Sequence, residues 1–298
     1  TASVKRKTEA VEDIAEDDDA EEANRALEDN EEVEESLQLE VAVLIGILFK
    51  SNKTIAGPLF NRTLNELITP ALTLPQGLQF GLFLMCDALN YLENQVPENV
   101  IFGFVNTFLT HCKKEEMKIK QSCFFGLGVA ASLLGEKFFE ISSAALKEID
   151  ELIMNSSIKT KGLGITSVID NCISAKGKII KAIWSQMPAD LLANHLQSWL
   201  HGLPLLFDHT ENILNLEMLI KILQSNPEVL LSKPENVVKT CEIFATVYKQ
   251  KNLSNPEIDS NIKSLISGFL SNENIKAIIL ATDFKICTRE ILQSIIQP

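Results

Sequence analysis

Helical periodicity recurs along this chain in pairs, at intervals of about forty to fifty residues, and that recurrence narrows the fold more than any other feature. Segments 37–53 and 58–72 make a first pair, 78–93 and 98–113 a second, and 116–134 and 138–155 a third. A fourth spans 161–183 and 190–203, and a fifth spans 210–224 and 235–249. Segment 258–270 opens a sixth, which short helices at 275–281 and 284–296 complete. Phe138, Ile141, Ala145, Ile149 and Leu152 show the spacing well, since all five fall on one face of a helix. Pro58 suits a first turn, Gly135 suits a helix stop, and Pro97, Pro188, Pro204, Pro227, Pro234 and Pro256 punctuate the rest. No segment alternates apolar and polar residues as a strand requires. A single hairpin of this size cannot bury its apolar face, whereas stacked hairpins share one continuous core. The expected fold is all-α, a superhelical α-solenoid of about six HEAT-type hairpins.

Charge divides the chain differently. Residues 1–40 hold 16 of the 40 acidic residues and only 4 of the 27 basic ones, so the rest carries 24 against 23. The expected organisation is an acidic segment, 1–36, flexible or partly helical, followed by a repeat array over 37–298. A dense acidic run with few apolar residues serves either as a solvated connector or as a lure for basic partners. Its field reaches only about 8 Å at physiological salt. Asp17, Asp18, Asp19, Glu21 and Glu22 are the candidate attractors. The nearly neutral remainder lacks the basic footprint of a nucleic-acid binder.

Cys86, Cys112, Cys123, Cys172, Cys241 and Cys287 are dispersed and form no C-x-x-C pair, so they read as buried free thiols of a cytosolic or nuclear protein. The Asn-x-Ser/Thr triplets at Asn52, Asn61, Asn155 and Asn252 then read as chance matches. Val41 to Phe49 is the longest apolar run, about half of a bilayer span, and it predicts no membrane insertion. The chain opens on Thr1, not Met, and is expected to be part of something longer.

Chemical motifs weaken on inspection. Gly126-Leu127-Gly128-Val129-Ala130-Ala131 matches a loose dinucleotide fingerprint, but it sits inside a helix with no strand before it. Small residues there serve close helix packing better, and Gly162-Leu163-Gly164 reads the same way. Ala175-Lys176-Gly177-Lys178 fails as a phosphate loop, since Cys172 replaces its first Gly and Ile179 its Ser or Thr. His195, His201 and His209 place no pair at i, i+4, so a zinc site is not predicted. No metal, cofactor or catalytic residue is assigned, and the chain is read as a non-enzyme.

Asp170 and Asn171 are poor helix formers in a helix interior and would be costly if buried without partners. They serve either to bond adjacent loops and helix ends or to line a concave face that grips an extended peptide. Trp199, in SWLHGLPLLF, suits an inter-repeat anchor better than a ligand platform. All three are candidate protein-binding residues.

The run from Asp170 to Ile179, and the later Trp199-Leu200-His201-Gly202-Leu203-Pro204-Leu205, resemble the C-terminal HEAT repeats of importin-beta-type transport receptors, or karyopherins. The branch most resembled is importin five, also called Ran-binding protein five. Gln79-Phe80-Gly81-Leu82, with Cys86-Asp87 behind it, and Phe125-Gly126-Leu127-Gly128-Val129-Ala130 follow the acidic stretch in the matching order. The likeness covers most of 30–230, with Ile, Asn and Lys replacing residues common on the family's surface. It implies binding of cargo with basic signals, of Ran-GTP and of Phe-Gly nucleoporins, in cytoplasm, nucleus and nuclear pore complex. The family's main Ran contacts lie in repeats absent from this chain. The competing expectation is a HEAT scaffold or regulatory subunit of a phosphatase or chromatin complex.

Overall fold

The computed structural model describes residues 18–74, 77–159 and 163–296, and the chain divides into two compact units meeting at Leu133 and Leu134. Among the described residues the elements are helical throughout, with no strand, as the period requires.

The first unit contains α1 (Asp18–Ser51), α2 (Lys53–Leu59), α3 (Asn65–Thr73), α4 (Leu78–Asp87), α5 (Glu98–His111) and α6 (Met117–Leu134). Helix α1 begins nineteen residues before Leu37, where the apolar periodicity starts. Its early half is rich in Glu and Ala, which are strong helix formers, and acidic residues suit a helix N-terminus. Pro58 is displaced from the expected first turn and lies inside α2, near its end. Lacking an N–H, it cannot continue the bonding ladder, and a π-helical turn at Phe60–Leu64 follows. The segment expected as one helix over 78–93 also changes pitch, to a π-turn at Ala88–Leu92 and a 3-10 turn at Glu93–Gln95. An aromatic chain ties the unit together. Phe49 of α1 meets Phe60 edge-on at 5.8 Å, and Phe60 meets Phe104 of α5 at 6.3 Å. Gly126 of α6 lies directly against the Phe108 ring of α5, so the apparent nucleotide fingerprint is a packing device.

Asp87 closes α4 against Gly46 of α1, and burial pushes its carboxyl up to about 6 from an ordinary 3.8. The folded state therefore holds a proton between about pH 4 and 6 that the unfolded chain has released, so stability falls as pH rises through that window. Asp87→Asn is expected to raise the melting temperature at pH 7 and to flatten its rise between pH 7 and 5. Thermal melts of both proteins at the two pH values measure this.

The second unit contains α7 (Phe139–Lys159), α8 (Leu163–Ala182), α9 (Ala189–Gly202), α10 (His209–Ser225), α11 (Glu228–Leu231), α12 (Pro234–Val247), α13 (Pro256–Ser271), α14 (Glu273–Ala281) and α15 (Ile286–Ile296). Gly135 takes a left-handed φ of 55° just after α6, the conformation a helix stop needs. Pro234 and Pro256 open α12 and α13, where a missing N–H costs nothing. The short α11, between Pro227 and Pro234, was expected as loop. Helices α8, α10 and α13 pack side by side in one layer, and α9 and α12 form the other.

Five cysteines are buried, but Cys287 is exposed on α15, which corrects the expectation for that thiol. The run Met117–Met154 is apolar and long enough to cross a membrane by composition, yet 61% of its apolar window is buried inside the protein. It reads as core.

Candidate functional site

The second unit is fastened by side chains that the sequence singled out. Asp170 projects from α8 to the connector that follows α9, where its carboxylate accepts the backbone N–H groups of Phe207 at 2.7 Å and Asp208 at 3.2 Å. Burial raises its carboxyl from the ordinary range, and those backbone donors partly oppose the rise. Asp208 in turn caps α10, accepting the N–H of Glu211 at 2.9 Å. Asn212 accepts from the N–H of Leu205 and donates to the carbonyl of Leu253, each at 2.9 Å. Side chains of two helices thus take up three backbone N–H groups of the connector, those of Leu205, Phe207 and Asp208.

Asn171 stays within its own helix and donates to the carbonyl of Ser167 at 3.0 Å. Trp199 is fully enclosed, its Nε1 donating to Asn215 Oδ1 at 2.8 Å. Gly177 leaves room for it: a Cβ there would stand 2.6 Å from Nε1 and 2.7 Å from Asn215 Oδ1. Gly202 takes Ile173 in the same way, so the Asp170 and Trp199 runs pack on one another. Ser174 and Lys178 both bind the Glu211 carboxylate, and Asn215 donates to Ser174 at 3.0 Å. Lys176 is completely buried and held by the Asp150 carboxylate and the Ser198 hydroxyl. Burial lowers the Lys176 ammonium and also the nearby His195, whose Nδ1 is 3.7 Å from Asp150. Chemically, this network fixes helix separations.

The acidic candidates belong to the first unit. Asp18, Asp19, Glu21 and Glu22 lie in the opening turns of α1, and Asp17 lies outside the described residues. Residues Asp170, Asn171 and Trp199 come together within the second unit, all buried.

An open groove of about 240 Å³ lies where α8 and α10 end, lined by Lys181, Trp184, Met218, Lys221, Ile222, Ser225 and Asn226. Its floor is apolar, and two lysines give it a basic rim. Sequence reasoning passed over it, although Met218, Lys221, Ile222 and Ser225 follow the i, i+3, i+4, i+7 spacing of one helix face. Trp184, the chain's other tryptophan, was the signal available.

No family model matches the chain. Among solved structures, Kap121p bound to Nup53p superposes with a TM-score of 0.63 at 18% identity, covering 87% of this chain and 23% of that one. A triple acidic-to-lysine mutant of Kap121p gives a TM-score of 0.59 at 19% identity, covering 87% and 22%. The fold of this chain is similar to that of Kap121p. Kap121p is a karyopherin of the importin-beta family, and the chain spans less than a quarter of its length. The likeness at this identity is one of architecture, an all-α solenoid.

Proposed function

We propose that this chain is a portion of a nuclear transport receptor of the karyopherin type, working by binding other proteins and without catalysis. The likeness to Kap121p over 87% of the chain carries the reading. One of those structures holds a nucleoporin, Nup53p, which supports a nucleoporin-type partner here. The groove at Trp184 offers an apolar seat for one inserted side chain of a Phe-Gly nucleoporin, between two cationic rims. The acidic opening of α1 suits cargo with basic signals, by charge attraction at short range. Regulation by Ran-GTP, passage between cytoplasm and nucleus through the nuclear pore complex, and the importin five branch complete the proposal.

The test uses the purified chain with three probes: a Phe-Gly nucleoporin fragment, Ran loaded with a GTP analogue, and a fluorescent lysine-rich signal peptide. Nucleoporin binding is expected to weaken about tenfold, or ~1.4 kcal/mol, in Trp184→Ala combined with Lys221→Glu. Both changed side chains lie at the surface groove, so circular dichroism should stay unaltered. Failure of all three probes to bind would sink the transport reading and leave the scaffold alternative.

A further inference from the structure

Helix α10 packs between α8 and α13, and α8 between α7 and α10, so the Trp184 groove is walled by helices with neighbours on each side. Its two lysines differ from those that precede them on α8. Lys176 is held by Asp150, and Lys178, three residues before Lys181, by Glu211. Among the described residues Lys181 and Lys221 form no ion pair, and no carboxylate lines the groove. Glu217 and Glu228 are the nearest acids in sequence to Lys221, and both lie off it. Two exposed lysines therefore rim one apolar opening without a counter-charge.

The helix ends supply part of that counter-charge, but not all of it. Helix α8 stops at Ala182 and α10 at Ser225, so two C-terminal ends meet at the groove. Each end counts as about half a negative charge, and the two together offset about one of the two lysines. Some of those carbonyls already have donors. Ile179 accepts from the Ile183 N–H at 3.1 Å, Ile222 from the Asn226 N–H at 2.8 Å, and Lys221 from the Ser225 hydroxyl at 2.8 Å. About one positive charge is left for a ligand.

Size sets the apolar part of that ligand. A cavity of about 150 Å³ takes benzene, so the 240 Å³ here receives one benzyl side chain and the start of its main chain. Trp184, Met218 and Ile222 supply ring, sulfur and aliphatic contacts for it. Residues of an extended peptide are only about 3.3 Å apart. A carboxylate next to the ring therefore arrives beside the lysines as the ring enters, and a lysine in that place is repelled by both.

We infer that the Trp184 groove selects an aromatic side chain with an acidic neighbour, so that its preferred nucleoporin segments carry Asp or Glu beside Phe. This rests on the nucleoporin reading of the same groove and narrows it. The test is a fluorine NMR titration of the purified chain with three peptides, Gly-Asp-Phe-Gly, Gly-Asn-Phe-Gly and Gly-Lys-Phe-Gly, each built with 4-fluorophenylalanine. Exposed ion pairs are weak, so at about 50 mM salt the Asp peptide should bind about threefold tighter than the Asn peptide, which matches it in shape. The Lys peptide should bind about threefold more weakly than the Asn peptide. At about 500 mM salt the screening length shrinks to ~4 Å and the three should converge. Lys181→Gln with Lys221→Gln should also make the three bind alike, with the affinity for the Asn peptide unchanged. Trp184→Ala should weaken all of them. Equal binding of the Asp and Asn peptides, or a preference that survives the double Gln substitution, would overturn the inference and leave the aromatic seat standing. If no peptide binds, the nucleoporin reading of the groove falls with it. Light scattering at the titration concentrations reads the other occupant. A two-chain mass that Trp184→Ala abolishes would give the groove to a second copy of the chain and overturn the inference.

Discussion

Trp199→Ala is expected to destabilise the second unit by about 3–5 kcal/mol, the range for removing a large, fully enclosed aromatic. The loss has two parts. A void opens between α8 and α9, where Gly177 has no side chain to lean into it, and Asn215 Oδ1 loses its donor inside the core. At about 2–4 °C per kcal/mol for a unit of this size, the melting temperature should fall by ~10 °C or more. Trp199→Phe keeps most of the packing and forfeits the hydrogen bond, so it should cost about a third as much. Fluorescence separates the two tryptophans: in Trp199→Ala only the part-exposed Trp184 remains, and emission should shift to the red.

The second large effect concerns Lys176. Asp150→Ala leaves an enclosed ammonium with only the Ser198 hydroxyl, and breaking such a pair costs about 3 kcal/mol. Burial already lowers Lys176 from its ordinary 10.5, and losing the carboxylate lowers it further. The unfolded variant then holds a proton that the folded one releases at lower pH. Stability of Asp150→Ala should therefore rise with pH toward 10, against the trend of a neutral control. Lys176→Met in the same background should restore most of the loss and abolish the rise, because the methionine asks for no partner. Urea titrations of the four proteins of this cycle, at pH 7 and 9, give the coupling directly. A cycle with no coupling would show that the pair contributes nothing to the fold.

Most of the architecture was legible because it rests on local rules. Apolar spacing marked the helices, and Pro234, Pro256 and Gly135 marked where they start and stop. What escaped depends on facts that are not local. Pro58 was readable as a first turn, and only the adjoining π-turn gives it a place inside a helix. The early start of α1 was hidden because residues 18–36 lack an apolar stripe, although their propensities favour a helix. Asp170 and Asn171 were recognisable as conspicuous polar residues in a core helix; Asn171's bond to Ser167 follows the local i−4 spacing, but Asp170's partners at Phe207 and Asp208 are ones that no spacing rule reveals. The Trp184 groove needed two helix ends to meet across thirty-odd residues of sequence. Short-range chemistry was readable; juxtaposition was not.

The seating of Trp199 on Gly177 and of Ile173 on Gly202 also bears on how such a chain can diverge. What those two contacts record is a distance between neighbouring helices, set by where a side chain is missing as much as by where one is present. A sequence that keeps these gaps can hold the helix separation while nearly everything that faces water changes. Roughly four residues in five differ between this chain and Kap121p, and the helices still superpose. Likeness of architecture at this level leaves the exterior open, so the binding specificity of this chain has to be measured on its own surface.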